Sequence, residues 1–320
     1  QSGANLLVGT TGTLSATNGI TNASGATLVN NGTIASIVNN FGNFTSTGTL
    51  QNGLLNGAIT VTANLSGTVQ GTINNSGTIN VTTSGLLGEA TFVQGGFGVL
   101  NFGGFDTGFG SIAGGGTINL GLTTLNVGSN NTSTTFSGVI NGPGRLFKTG
   151  TGTLTLSGVN GYTGETRITG GTLALASGGQ IAGLVRNGTV FTNAGTVLGS
   201  VINLGELTST GRINGGLTQF AGAQATVSGT LNGAINSGGA LIVNGNLSSD
   251  GFASNTGTGT VLVQSGARWD VGGFDNVSTN ANGFVIAGTV INSGFSINRT
   301  GATLTINSGG ILNSRFFTNE

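Results

Sequence analysis

The sequence predicts an all-β chain wound as a parallel β-helix, or β-solenoid. Three observations carry that prediction: a Gly-Thr-apolar triplet that recurs from end to end, period-two alternation between the triplets, and corners built from glycine and asparagine.

The triplet runs from Gly12-Thr13-Leu14 and Gly32-Thr33-Ile34 through Gly152-Thr153-Leu154 to Gly288-Thr289-Val290. Between triplets, Ile59, Val61, Ala63 and Leu65 alternate with Thr60, Thr62 and Asn64, which is the pattern of a strand with one apolar face. Glycine and asparagine reach positive φ at low cost and suit the corners, while threonine and the β-branched aliphatics suit a pleated, half-buried surface. Such short strands fold only if each turn of chain lies on the last and buries a continuous apolar column.

At roughly 20 residues per coil and ~4.8 Å between coils, the chain makes about 16 coils and an elongated rod of about 75–80 Å. We expect one domain over 1–320, with the asparagines of the corners Asn30-Asn31, Asn39-Asn40, Asn74-Asn75 and Asn130-Asn131 stacked from coil to coil and hydrogen-bonded along the axis. Asn40-Phe41-Gly42-Asn43-Phe44 parallels Asn203-Leu204-Gly205-Glu206-Leu207, and Gly103-Gly104-Phe105-Asp106 parallels Gly272-Gly273-Phe274-Asp275. These parallels divide the chain into related blocks, roughly 23–140 and 186–298.

Composition removes the alternatives. There are 65 glycines but one proline, no cysteine, no methionine and no histidine, and charged residues make up 5% of the chain, against about a quarter in ordinary globular proteins. Collagen needs glycine at every third position with abundant proline, and disorder combines low hydrophobicity with high net charge; this chain is 36% hydrophobic with a formal charge of zero. No apolar run approaches the ~20 residues of a membrane-spanning helix. The opening QSGANLLVGT lacks the basic and apolar regions of a signal peptide, so the segment reads as mature or excised. The lack of cysteine suits passage through an oxidising compartment.

Residues 138–175 resemble the autotransporter-associated β-strand repeat of bacterial type V secretion passengers. The resemblance runs through Leu146, Lys148, Gly150, Gly152-Thr153-Leu154, Leu156-Ser157-Gly158, Asn160, Tyr162-Thr163-Gly164, Thr166 and Gly170-Gly171-Thr172-Leu173. A degraded copy lies at Arg299–Ile306 without the Asn-x-Tyr-Thr-Gly element. The resemblance implies a right-handed β-helix exported across the outer membrane and displayed at the cell surface or released. The C-terminal translocator barrel of such proteins is not recognisable here, so the sequence reads as part of a longer chain or a departure from that route.

Chemistry is scarce. Without histidine or cysteine, Ser-His-Asp and Cys-His catalysis and the usual zinc sites are out of reach, and no catalytic, cofactor-binding or metal-binding residue is assigned. The carboxylates Glu89, Asp106, Glu165, Glu206, Asp250, Asp270, Asp275 and Glu320 remain, and paired carboxylates across a cleft would make a polysaccharide-active enzyme. Asp270 and Asp275 are closest in sequence, but strand periodicity sends them to opposite faces, and turn or surface roles outweigh catalysis. Gly-Gly-Phe-Asp at 103–106 and 272–275 lacks the tandem repetition of calcium-binding turns. The glycine run 114–116 has neither the lysine nor the helix of a phosphate loop.

Arg145, Lys148, Arg167 and Arg186 fall in one region, yet eight basic residues balanced by eight acidic ones do not make a nucleic-acid face. Glu165 and Arg167 are read as a solvated pair on one strand face. Phe92, Phe97, Phe102, Phe105 and Phe109 are read as an internal stack, and Trp269, beside Arg268 and Asp270, as the better candidate for an external ring.

The function expected is a non-enzymatic extracellular structural or adhesive β-helical rod: a surface-displayed passenger or fibre building block that assembles end to end or laterally. Its partners would be copies of itself, further repeats of the same chain, or a surface or glycan ligand. The alternatives are a polysaccharide-active β-helix using surface carboxylates, and an adhesin gripping a glycan or matrix ligand through corner loops.

Overall fold

The computed structural model describes residues 3–83 and 89–320, in which every regular element is a β-strand. The fold is a parallel β-solenoid of about 16 turns. Its residues group into two compact units, Gln1–Glu165 and Thr166–Glu320.

In the first unit each coil contributes strands to three sheets, a cross-section that periodicity alone does not specify. An eight-stranded parallel sheet stacks Asn5–Val8, Thr27–Asn30, Asn43–Ser46, Thr62–Leu65, Thr78–Val81, Val99–Phe102, Thr117–Asn119 and Val139–Asn141 in that order. A four-stranded sheet of two-residue strands stacks Thr13–Leu14, Thr33–Ile34, Thr49–Leu50 and Thr68–Val69. The third face holds Ile20–Asn22, Val38–Asn40, Leu54–Asn56 and Thr72–Asn75, again in parallel register. Within each strand the alternation expected from the sequence sends one set of side chains inward: Thr62 and Asn64 are half-buried while Ala63 and Leu65 are buried. Ile59, the first residue of the predicted run, is 66% exposed, because that strand begins only at Thr62.

Inward residues form columns along the stack. Leu28, Phe44, Ala63, Ile79, Leu100, Ile118 and Ile140 follow one another in register, all buried, with the small Ala63 next to the bulky Phe44. Such alternation of volume fills a column at interior density without forcing rotamers.

Gly116, Gly171 and Gly229 take the positive φ that a triplet glycine suggests, but other triplets have a different physical basis. Gly32, Gly48 and Gly67 do not occupy positive φ. Instead, a Cβ on Gly48 would lie 2.0 Å from the carbonyl oxygen of Gly32, and one on Gly67 1.9 Å from that of Gly48. Glycine is required there because one coil's backbone rests directly on the next. The threonine then starts the strand and the third residue enters the core: Ile34, Leu50, Ile118, Leu173 and Val197 are all fully buried.

Stacked amides line the interior. Asn22 donates to Asn40, Asn40 to Asn56, Asn56 to Asn75 and Asn75 to Gln94, at 2.8–3.0 Å. Second N–H groups on this row bond backbone carbonyls: Asn22 to Asn43, Asn56 to Thr78, Asn75 to Val99 and Gln94 to Thr117. These buried amides are thereby hydrogen-bonded, which their burial requires.

The second unit repeats the scheme. Val185–Asn187, Val201–Asn203, Leu217–Gln219, Ile235–Ser237, Phe252–Asn255 and Gly273–Asn276 pair in parallel register. Their internal row runs Asn187 to Asn203 to Gln219, changes to the hydroxyl of Ser237, and resumes as Asn255 to Asn276 to Asn298, which donates to the exposed Asn319. Asn193 donates to the Ser209 hydroxyl at 3.0 Å and to the Arg212 carbonyl at 3.3 Å, duplicating Asn30 with Ser46 and Thr49 in the first unit. The Oδ1 atoms of Asn30 and Asn193 find no protein partner among the described residues, because the preceding coil places Val8 and Leu175 in register with them.

Candidate interaction surface

Of the residues singled out for chemistry, most prove to be structural. Trp269 is fully buried, not an external ring: its Nε1–H donates to the Ser249 hydroxyl at 3.0 Å, and its ring stacks on Phe284 at 6.0 Å. Its strand, Arg268–Val271, turns Trp269 and Val271 inward and leaves Arg268 exposed. The phenylalanine cluster divides. Phe92, Phe102 and Phe109 are in the core, with the rings of Phe92 and Phe109 4.8 Å apart, whereas Phe97 and Phe105 sit in corners and are 84% and 43% exposed. Alternation decides the strand residues; corner residues have no such rule.

Lys148 is another inward residue. Counted in the sequence with a basic group, it is fully buried in strand Arg145–Lys148, and its Nζ donates to the carbonyls of Thr149 at 2.6 Å and Gly150 at 3.2 Å. Burial pushes its pKa below the ordinary lysine value. Arg145 is exposed on the same strand.

Five of the carboxylates, Asp106, Asp250, Asp270, Asp275 and Glu320, are engaged in local structure. Asp106 Oδ1 accepts the Thr124 N–H at 2.7 Å, and Asp250 Oδ1 accepts the Gly233 N–H at 2.8 Å, so both satisfy backbone donors on a neighbouring coil. Asp270 pairs with Arg268 at 3.0 Å. Asp275 pairs with Arg299 at 2.9 Å, and Arg299 also reaches Glu320 at 3.6 Å. The hydrogen bond to Asp275, and then its charge, raise the Arg299 guanidinium above its ordinary value. Asp275 and Glu320 thus share a guanidinium rather than flank an open cleft. Among the described residues no three of the metal-ligating side chains His, Cys, Asp and Glu converge.

One regular polar array does face outward, and sequence reasoning missed it. In the eight-stranded sheet, Asn64, Asn80, Asn101, Asn119 and Asn141 occupy the same half-buried outward position on successive coils. Asn80 donates to Asn64 at 2.9 Å, Asn101 to Asn80 at 3.0 Å and Asn119 to Asn101 at 2.8 Å. Thr62, Thr78, Val99, Thr117 and Val139 form the adjoining outward column. Its signal in the sequence is an asparagine two residues after the strand-opening residue, a strand position rather than a corner.

The family-like stretch is built from packing contacts. Leu146, Leu154, Leu156, Asn160 and Tyr162 are fully buried, and Asn160 Oδ1 accepts the Ile140 N–H at 3.0 Å. A Cβ on Gly158 would fall 1.9 Å from the Gly138 carbonyl oxygen, and one on Gly164 2.2 Å from that of Gly144. In the second unit Thr166, Ile168, Leu173 and Leu175 are buried. This ordered set therefore encodes coil stacking.

Residues 146–175 match the family model described as Passenger-associated-transport-repeat. Over 247 residues, 74% of this chain, the sequence is 32% identical to a protein named Adhesin BmaC autotransporter from Brucella suis biovar 1 (strain 1330). The chain spans about 6% of that relative's length. No solved structure matches. No helix of the described residues is long and apolar enough to cross a membrane. With its repeat residues buried between coils and its sequence matched on both counts, the chain carries an autotransporter passenger repeat.

Proposed function

We propose that this chain is a non-enzymatic, adhesive β-solenoid segment of an autotransporter passenger, exported across the outer membrane and presented at the cell surface or released. The observation that carries this reading is that the matched repeat spends its distinctive residues, Asn160 and Tyr162 among them, on coil-to-coil packing. The relative's name, an adhesin, supports the same reading. Acidic side chains that bond neighbouring backbone or arginine, as Asp106, Asp250, Asp270 and Asp275 do, favour a scaffold over a hydrolase.

The test is to display the chain on an otherwise non-adherent bacterium and measure attachment to host cells, matrix proteins and a glycan array. Attachment above the empty display vector is expected. Turnover of a polysaccharide that is lost on Asp275→Asn or Glu320→Gln, with no gain in attachment, would overturn the proposal in favour of an enzyme.

A further inference from the structure

One outward column of the second unit changes character along the stack. On the sheet that holds Ile235–Ser237, Phe252–Asn255 and Gly273–Asn276, it carries the small residues Ser200, Gly216 and Ala234 on successive coils, then Phe252, Gly273, Phe295 and Phe316. Phe252 is 46% exposed and Phe295 66%, although each has a coil on either side; Phe316 is 50% exposed. Aromatic rings gathered in the open on a rigid sheet mark a place of contact.

The three rings form one strip. Phe295 and Phe316 stack with centroids 4.9 Å apart and planes 20° apart, and the Arg315 guanidinium lies 5.5 Å from the Phe316 centroid. A Cβ on Gly273 would fall 2.9 Å from Phe252 Cδ2, so it is the bare glycine that lets the Phe252 ring lie over the next coil. Rings in full face contact sit about 3.5–4.0 Å apart. At 4.9 Å the stacked pair is offset, and each ring leaves part of a face open.

Polar groups flank the strip. The adjoining outward column, about 7 Å away along the strands, holds Ser254, Asp275 and Thr318 together with Ile297. Asp275 fixes the Arg299 guanidinium at 2.9 Å, and Arg299 also reaches Glu320 at 3.6 Å. Carboxylate, guanidinium and hydroxyl therefore stand beside the rings, and the charges of Asp275 and Glu320 balance those of Arg299 and Arg315.

Building on the reading of the chain as an adhesive passenger, we propose that this strip is a subsite for a neutral glycan, with pyranose rings against the phenylalanines and hydroxyls bonded to the flanking polar groups. A pyranose is amphipathic in the matching way. Its faces present C–H bonds of partial positive charge, which meet the negative face of an aromatic ring, and its rim presents hydroxyls for Asp275, Arg299 and Ser254. An extended pyranose chain advances by about one coil spacing per sugar, so successive sugars meet successive coils. Balanced charge selects an uncharged partner, because a nucleic-acid strand stacking on the same rings needs a basic groove beside them. Area excludes a protein: three rings about half exposed offer roughly 300 Å², against the ~800 Å² per partner of a stable protein complex. One strip binds weakly, and many displayed copies add through multivalency.

The experiment titrates the full chain by calorimetry with hexaoses of glucose, mannose and N-acetylglucosamine, and with heparin hexasaccharide as the anionic arm. At least one neutral hexaose is expected to bind, and Phe252→Ser with Phe295→Ser to weaken it about tenfold or more. Leu204→Ser with Phe220→Ser removes two exposed apolar residues from corners of the same unit and should leave the affinity unchanged. Phe295→Trp should keep or tighten binding, whereas Phe295→Leu, apolar but without a ring, should lose it. Trp269 emission and melting temperatures equal to wild type establish that the variants fold. Failure of every neutral hexaose to bind, preference for the anionic sugar, undiminished binding by the Phe252/Phe295 variant, or a Phe295→Leu chain that binds as well as Phe295→Trp overturns the inference. Host-cell attachment is scored in parallel: hexaose binding without attachment overturns the adhesive reading and leaves the subsite standing, and attachment without hexaose binding does the reverse.

Discussion

Asn75 lies one coil beyond Asn56 and accepts its Nδ2–H at 2.9 Å inside the core. The pair is one rung of a row in which each amide is both acceptor and donor. This satisfies polar groups that would otherwise be costly to bury, and it ties each coil to the next independently of the backbone ladder.

Removing a rung should therefore cost more than one bond. Asn75→Ala takes away the acceptor for Asn56 and the donors to Gln94 Oε1 and the Val99 carbonyl. We expect a loss of about 2–4 kcal/mol in chemical denaturation, whereas Asn74→Ala, facing outward one residue away, should stay within about 0.5 kcal/mol.

The glycine column gives a steric prediction. Gly48→Ala drives a Cβ to 2.0 Å from a backbone oxygen, and backbone on the next coil cannot yield as a flexible side chain would. It should unfold or badly destabilise the first unit. Gly96→Ala, with nothing within 4 Å of its Cβ and no positive φ, should be nearly neutral; paired melting curves compare the two.

Trp269 is the only tryptophan, so its emission reports one site. Full burial predicts blue-shifted fluorescence, weak quenching by acrylamide, and a red shift on unfolding. Trp269→Ala removes the ring that stacks on Phe284 and the bond to Ser249, and should cost about 3–5 kcal/mol by the same denaturation measurement.

Lys148 makes stability depend on pH in a definite direction. Burial lowers its pKa in the folded chain below the ordinary 10.5. Below the folded pKa both states are protonated and the charge-burial penalty is fully present. As pH rises from the folded pKa to 10.5 the unfolded state binds more protons, so this residue's contribution shifts toward the folded state. Wild type should gain on Lys148→Met across that window in melting temperature; a difference that is flat or falls with pH contradicts the assignment.

Much of the fold was legible in the residues. Strand alternation predicted which of Thr62, Ala63, Asn64 and Leu65 point inward, and the expected amide stacking appears at Asn40 and Asn75. Where the chain leaves regular strand, legibility stops: Phe97 and Ile59 look like core residues by type but lie outside the alternation, in corners that set their own direction. Trp269, read from the sequence as the better candidate for an external ring, lies inside for the opposite reason, and Lys148 shares it. Each has a polar group that suggests the surface, and each is inward because its strand position demands it and a local hydroxyl or carbonyl satisfies it.

The sequence by itself determined that the chain is a stack of short parallel strands with an apolar interior, because periodicity and composition are local properties that no alternative packing satisfies; the passenger-type repeat was legible only through the resemblance of its ordered motif to a known family. Only the tertiary structure decided that coils carry three sheets, that Gly32, Gly48 and Gly67 serve backbone contact rather than positive φ, and that the first unit holds both a buried amide row and an outward one. Those facts depend on which residue of one coil lies over which residue of the next. Coils here advance by varying numbers of residues, so that register is set by corner length and packing rather than by any fixed spacing in the chain.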